Sequence, residues 1–372
     1  MRVIYISSVF ALMVLATACE FPKKQKEIEL NDNYEVFVAP ATPEHKRNSE
    51  SAIIELKDGS LLLGWTEFYD GQWHDDSPAR ISGKISVDGG RAWEGKYTLV
   101  ENDGEKNVME VNFLRLLSGD IALFYLQQNK TSCPVMMRTS SDEGKTWSNV
   151  KQISEGGLTN GRCIRLSTGR ILLESYNFCI ISDDDGKSWH DSQKIIFPVG
   201  YCAETACIEL KDGKVMMLLR TNLGCQYKSI SSDGGETWSQ PVPTPLIGTD
   251  APVSLSRITK TGDILAIWNY NWKYTGNGKL SPVEEEALWH KTTGDRRRIP
   301  LTSAISKDEG ETWEHFRNLE EIPGEGWCYP AVTWVENRAL VTYFSSFCAF
   351  DFEGENYLTL KLRSLPAEWF YQ

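Results

Sequence analysis

Apolar and polar positions along this chain alternate in blocks. An apolar run, a polar turn that usually holds glycine and a second apolar run follow one another. Glu55-Leu56-Lys57-Asp58-Gly59-Ser60-Leu61-Leu62-Leu63 shows the unit clearly. It returns at Arg115 to Phe124, Arg165 to Leu173, Glu209 to Leu218, Ile258 to Ile267 and, degraded, Trp334 to Tyr343. Short apolar runs joined by a Gly-containing turn predict tight hairpins of buried strands. Segments with helical period and caps are nearly absent, so the pattern predicts an all-β chain.

A second repeat runs in step with the first. Ser-x-Asp-x-Gly-x-x-Trp occurs at Ser86/Asp88/Gly90/Trp93, Ser140/Asp142/Gly144/Trp147, Ser182/Asp184/Gly186/Trp189, Ser231/Asp233/Gly235/Trp238 and Ser306/Asp308/Gly310/Trp313. Each residue suits a turn: Asp accepts backbone N–H groups, Gly permits positive φ and Trp packs the turn onto its strands. Six hairpins, five of them followed by such a turn, at a spacing of about 50 residues point to a six-bladed β-propeller. Its radial closure needs one blade completed by strands from both chain ends. Residues 269–295, rich in Trp, Tyr, Gly and Glu, form an insertion in the fifth repeat of the kind that shapes a binding rim.

The N-terminus predicts export. Met1-Arg2 is a short positive start, Val3 to Ala18 is apolar or small, and Leu15-Ala16-Thr17-Ala18 precedes Cys19. This resembles a bacterial lipoprotein box, which implies a signal peptide over 1–18, lipid on Cys19, a charged tether over 19–34 and the propeller over 35–372. The expected location is the periplasmic side of a membrane or the cell surface.

A formal net charge of −12 argues against nucleic acid as a partner but leaves room for a small anion held by a local arginine cluster. The remaining cysteines show no CxxC and the five histidines no metal spacing, so no metal or other cofactor is expected. HExxH, GxSxG and a Gly-rich phosphate loop are all missing from the sequence.

The repeated turns resemble the Asp boxes, or BNR repeats, of the sialidase family, where they lie on the outer rim of the blades. That resemblance implies a glycoside hydrolase with three arginines on the substrate carboxylate, a tyrosine nucleophile, a glutamate that activates it and an aspartate acid/base. Ala203-Glu204, a hairpin and then Arg220 match the activating glutamate and one arginine. Arg298-Ile299-Pro300-Leu301 matches the last arginine, with Arg296 and Arg297 adjoining. Tyr329, in Trp327-Cys328-Tyr329-Pro330-Ala331, matches the nucleophile. Arg47 keeps the position of the first arginine, although Arg47-Asn48-Ser49 stands where the family usually has Arg-Ile-Pro. The acid/base falls in the loop holding Asp70, Asp75 and Asp76; Asp75 fits slightly better than Asp76, and the choice stays open.

The resemblance implies an exo-α-sialidase-like enzyme releasing a terminal sialic acid or related 2-keto sugar acid, with sialylated or other acidic glycans as partners. Two other readings stand beside it: a non-catalytic surface propeller that binds glycan or protein, and a propeller hydrolase or lyase acting on uronic-acid polysaccharides.

Overall fold

A computed structural model describes residues 32–157, 162–197, 202–271, 298–323, 325–346 and 357–372. The expected signal peptide over 1–18, Cys19, nearly all of the expected tether, most of the insertion, Arg296 and Arg297 lie outside the described residues. The compact unit runs Asp32–Gln372.

Among the described residues are twenty-four strands, β1 to β24, in six four-stranded antiparallel sheets, which form a six-bladed β-propeller. Blades one to five take their strands in chain order: β2–β5 (48–100), β6–β9 (107–154), β10–β13 (163–191), β14–β17 (202–247) and β18–β21 (254–320). The sixth holds β22 (Gly326–Val335), β23 (Arg338–Ser346) and β24 (Leu358–Pro366), closed by β1 (Tyr34–Ala39). β1 pairs antiparallel with β24 from Tyr34↔Ser364 to Ala39↔Leu360, so the two ends of the chain complete one sheet.

Both faces of an inner sheet are covered by neighbouring blades, which explains why the strands read as apolar runs. All eight residues of β3 (Leu61–Phe68) are buried. Ile208, Met216 and Leu218 of the fourth blade pack with Leu255, Ala266 and Trp268 of the fifth. Each leucine, isoleucine or methionine side chain removed from water contributes roughly 1.5–3 kcal/mol.

The repeated turns link the third and fourth strands of their blades. At the fourth, Ser231 Oγ donates to Asp233 Oδ1 (2.7 Å) and accepts from Gly235 N (2.7 Å), while Thr237 N donates to Asp233 Oδ1 (3.0 Å). Gly235 has φ +93°, and a Cβ there would meet Leu172 of the preceding blade at 3.1 Å. Glycine therefore suits the positive φ, and any larger residue would also press on the preceding blade. Among the described residues no helix is long and apolar enough to cross a membrane.

Candidate active site

The first strands of the blades neighbour one another: β2 (Asn48–Glu55) lies against β6 (Asn107–Arg115) and β22, and β14 (Cys202–Glu209) against β18 (Ser254–Arg257). Four of these strands carry a β-bulge: β2 at Ser49/Ser51, β6 at Met109/Asn112, β14 at Ala203/Thr205 and β22 at Cys328/Ala331. The residues there are Glu50, Glu110, Glu204 and Tyr329, with φ of 41°, 61°, 48° and 56°. None is glycine, and a left-handed backbone costs such residues about 1 kcal/mol or more. An extra residue breaks the in-and-out alternation of a strand and re-aims one side chain. Here four chemically active side chains are re-aimed at one level of the fold.

Glu204 links two of the groups expected at the site. Tyr329 donates its phenol hydrogen to Glu204 Oε1 (3.1 Å), and Arg220 Nη1 bonds Glu204 Oε2. Arg220 pairs across β14 and β15 with Ala203, beside the bulge, and its Nε reaches Asp250 Oδ1 at 2.5 Å. The Arg298 guanidinium stands 5.4 Å from the centroid of the Tyr329 ring and 5.9 Å from that of Phe344. Burial first, and then the Glu204 charge, hold the Tyr329 phenol well above its ordinary pKa, with Arg220 and Arg298 opposing.

Arg47 is buried and shared among several acceptors. Nε donates to Ser49 Oγ (2.8 Å), Nη2 to Glu50 Oε1 (2.5 Å) and Nη1 to Asp75 Oδ1 (2.5 Å). Its guanidinium also lies 4.5 Å from the Phe68 ring centroid. The Arg47 charge holds the Asp75 carboxyl below the usual aspartate range, partly opposed by burial, and Arg298 and Arg220 act in the same direction. Asp75 thus lies within electrostatic reach of all three arginines.

The neighbouring carboxylate faces elsewhere. Asp76 Oδ1 accepts from Lys106 Nζ (2.7 Å) and Gln128 Nε2 (3.1 Å) of the second blade. Of the two aspartates left open by the sequence, the structure pairs Asp75 with Arg47 and turns Asp76 to Lys106 and Gln128.

Three further acids at this level were not anticipated: Glu50, Asp250 and Glu110. Glu50 and Glu110 had a legible signal. Each stands as far ahead of the residue opening its hairpin turn (Leu56, Leu116) as Glu204 and Tyr329 stand ahead of Leu210 and Val335. Asp250 lies between two blades and has no counterpart in the repeats. Among the described residues no group of His, Cys, Asp or Glu is arranged to hold a metal ion.

Comparison with known proteins follows this geometry. Residues 46–342 match the BNR repeat-like domain. The anhydrosialidase of Macrobdella decora is 30% identical over 194 residues, 47% of this chain and 24% of that protein, so the chain spans only a quarter of this relative. Among solved structures, a protein of unknown function from Dyadobacter fermentans superposes with a TM-score of 0.70 at 17% identity, over 89% of this chain and 97% of the other. The NanB sialidase of Streptococcus pneumoniae does so with a TM-score of 0.69 at 15% identity, over 91% and 71%. At such identities the superpositions carry the fold alone. The match over residues 46–342 covers most of the chain, which therefore belongs to the sialidase-like BNR repeat family.

Proposed function

We propose that the chain is an exo-α-sialidase-like glycoside hydrolase that releases a terminal sialic acid, or a related 2-keto sugar acid, from glycans with retention of configuration. The observation that carries this reading is the Tyr329–Glu204 hydrogen bond flanked by Arg220 and Arg298. A site that only bound an acidic sugar would need arginines but no phenol paired with a carboxylate.

In the proposed reaction Arg47, Arg220 and Arg298 hold the sugar carboxylate, for which the planar guanidinium fork is suited. The Tyr329 oxygen attacks the anomeric carbon as Glu204 accepts the phenol proton. A phenol held above its ordinary pKa is a poor nucleophile until that proton moves, so deprotonation and attack go together. Asp75 protonates the leaving glycosidic oxygen, then takes a proton from the water that hydrolyses the tyrosyl intermediate. A neutral nucleophile suits this substrate because a second carboxylate would be repelled by the sugar's own.

Asp75 is paired with Arg47. An arriving carboxylate competes for that guanidinium, and its charge raises the Asp75 pKa toward the protonated form that an acid needs.

The test is a release assay on a mixed panel of sialylated and uronylated glycans, with each product identified by mass. Free sialic or another 2-keto sugar acid supports the reading. An unsaturated uronic acid or free uronic acid would move the chain to polysaccharide cleavage, and binding without release would make it a glycan-binding propeller. A product lighter by one water would mean that a hydroxyl of the sugar itself, not water, resolves the intermediate.

A further inference from the structure

Arg162 lies among the inner strands, apart from the three arginines of the site. It stands just ahead of β10 (Cys163–Arg165) and faces a pocket of about 310 Å³ walled by Ile53, Phe113, Ile164, Val332 and Trp334. These walls belong to the first, second, third and sixth blades. Ile53, Phe113 and Val332 each stand three residues beyond a bulged residue of the site, Glu50, Glu110 and Tyr329. At about 3.3 Å per strand residue, the pocket lies on the order of 10 Å along the strands from the proposed catalytic level.

Arg162 Nη2 donates to Val332 O of the opposite blade at 3.4 Å. Among the described residues that long bond is the one hydrogen bond of its side chain, and it forms no ion pair. Thr333 and Trp334 are committed elsewhere: Thr333 Oγ1 donates to Ile53 O (3.2 Å) and the Trp334 indole N–H to Ser256 Oγ (2.6 Å). Burial holds the Cys163 thiol above its ordinary range and pushes Glu174, the carboxyl that acts most strongly on Arg162, up to about 8. Neither therefore supplies a negative charge at neutral pH. At Arg47 and Arg220 burial lowers the pKa, but paired carboxylates outweigh it and the pKa is raised; at Arg162 burial prevails over Glu174 and Cys207. A guanidinium withdrawn from bulk water without a counter-charge is costly, and it cannot shed its proton.

We propose that this pocket binds a small organic carboxylate with an apolar body, its carboxylate on Arg162 and its body against Ile53, Phe113, Ile164 and Trp334. The planar guanidinium fork matches a carboxylate. Apolar walls favour an aliphatic or aromatic acid over a sugar acid, whose hydroxyl groups would go without partners there. They also disfavour phosphate, which carries more charge than one arginine offsets. A halide ion would leave most of the pocket unfilled, since its volume is many times the ~30 Å³ share of one water. The proposal is independent of the sugar-acid reading, because none of the residues that form this pocket is among those proposed to act on the glycan.

The probe is 4-bromobenzoate. Thermal unfolding at constant ionic strength should show a saturable rise in Tm with the probe, as expected of a ligand bound by the folded state alone. Crystals soaked in the probe should place bromine in this pocket by anomalous scattering. Apparent affinity should fall about tenfold or more in Arg162→Met, and likewise in Ile164→Phe, which narrows the pocket and keeps the arginine. Without probe, Arg162→Met should unfold at or above the wild-type temperature, because a charge without a partner has been removed. Bromine only at Arg47, Arg220 and Arg298 overturns the proposal, as does bromine in the pocket with no rise in Tm, which is binding at crystal concentration only. A Tm raised as much by chloride or phosphate overturns the carboxylate class. If Arg162→Met fails to fold, Ile164→Phe decides: affinity unchanged there makes Arg162 a structural tie to Val332 and overturns the site.

Discussion

Replacing Tyr329 by Phe removes a single oxygen and separates catalysis from binding. The ring keeps its neighbours, with Phe344 at a centroid distance of 5.8 Å and the Arg298 guanidinium at 5.4 Å. Glu204 loses the 3.1 Å bond from the phenol but stays paired with Arg220. The fold should therefore weaken by only about 1 kcal/mol, the net worth of one hydrogen bond. Binding of a free sugar acid should change little, since all three arginines remain. Turnover should fall by about 10³-fold or more, which corresponds to ~4 kcal/mol of barrier. The assay is steady-state cleavage of an aryl glycoside of N-acetylneuraminic acid, with calorimetric binding of the free acid beside it. A 3-fluoro sugar acid with a good leaving group should leave an adduct on Tyr329 of the wild-type protein, found by peptide mass spectrometry. Activity within tenfold of wild type in Tyr329→Phe, together with turnover of the probe without labelling, would refute the tyrosine mechanism.

Four other outcomes are expected. Asp75→Asn should lose 10²-fold or more in turnover on alkyl glycosides, about the usual worth of a general acid, and far less on aryl glycosides with good leaving groups, while kinetics show Asp76→Asn unchanged on both. Ser231→Ala leaves the buried Gly235 N–H without its acceptor and should cost roughly 1–3 kcal/mol in denaturant unfolding, with ligand affinity kept. Glu174 is pushed up to about 8, mainly by burial, with Arg162 and a bond from Cys207 N opposing. The folded chain thus holds a proton that the unfolded chain releases, so thermal stability should decline from the ordinary glutamate range up to about pH 8, and Glu174→Gln should flatten that decline. Cys19→Ser should abolish incorporation of an alkyne fatty acid, and equal labelling of wild type and variant would refute the proposed anchor.

Local sequence determined the architecture. A hairpin of two apolar runs and a Ser-x-Asp-x-Gly-x-x-Trp turn are each written in consecutive residues, because their conformations depend on neighbours: φ > 0 at Gly235, the Asp233 carboxylate on the following N–H groups. Repetition then left radial closure as the arrangement that covers the faces of every blade and keeps the sheet edges short, and β1 on β24 completes the last blade. Arg220, Glu204, Arg298 and Tyr329 were legible through their place in that repeat. That Asp75 and not Asp76 meets Arg47 was legible only as a slight preference, since both occupy one loop and the positions of Arg47, Lys106 and Gln128 in space tell them apart. The bulges were hidden for a related reason. A strand sequence records which residues alternate, and the extra residue that turns Glu50, Glu110, Glu204 and Tyr329 into the same level emerges only from pairing with the next strand. Asp250 was beyond reach because it lies outside the repeats, and the pocket that Arg162 faces is walled by strands of four blades, which tertiary structure alone brings together.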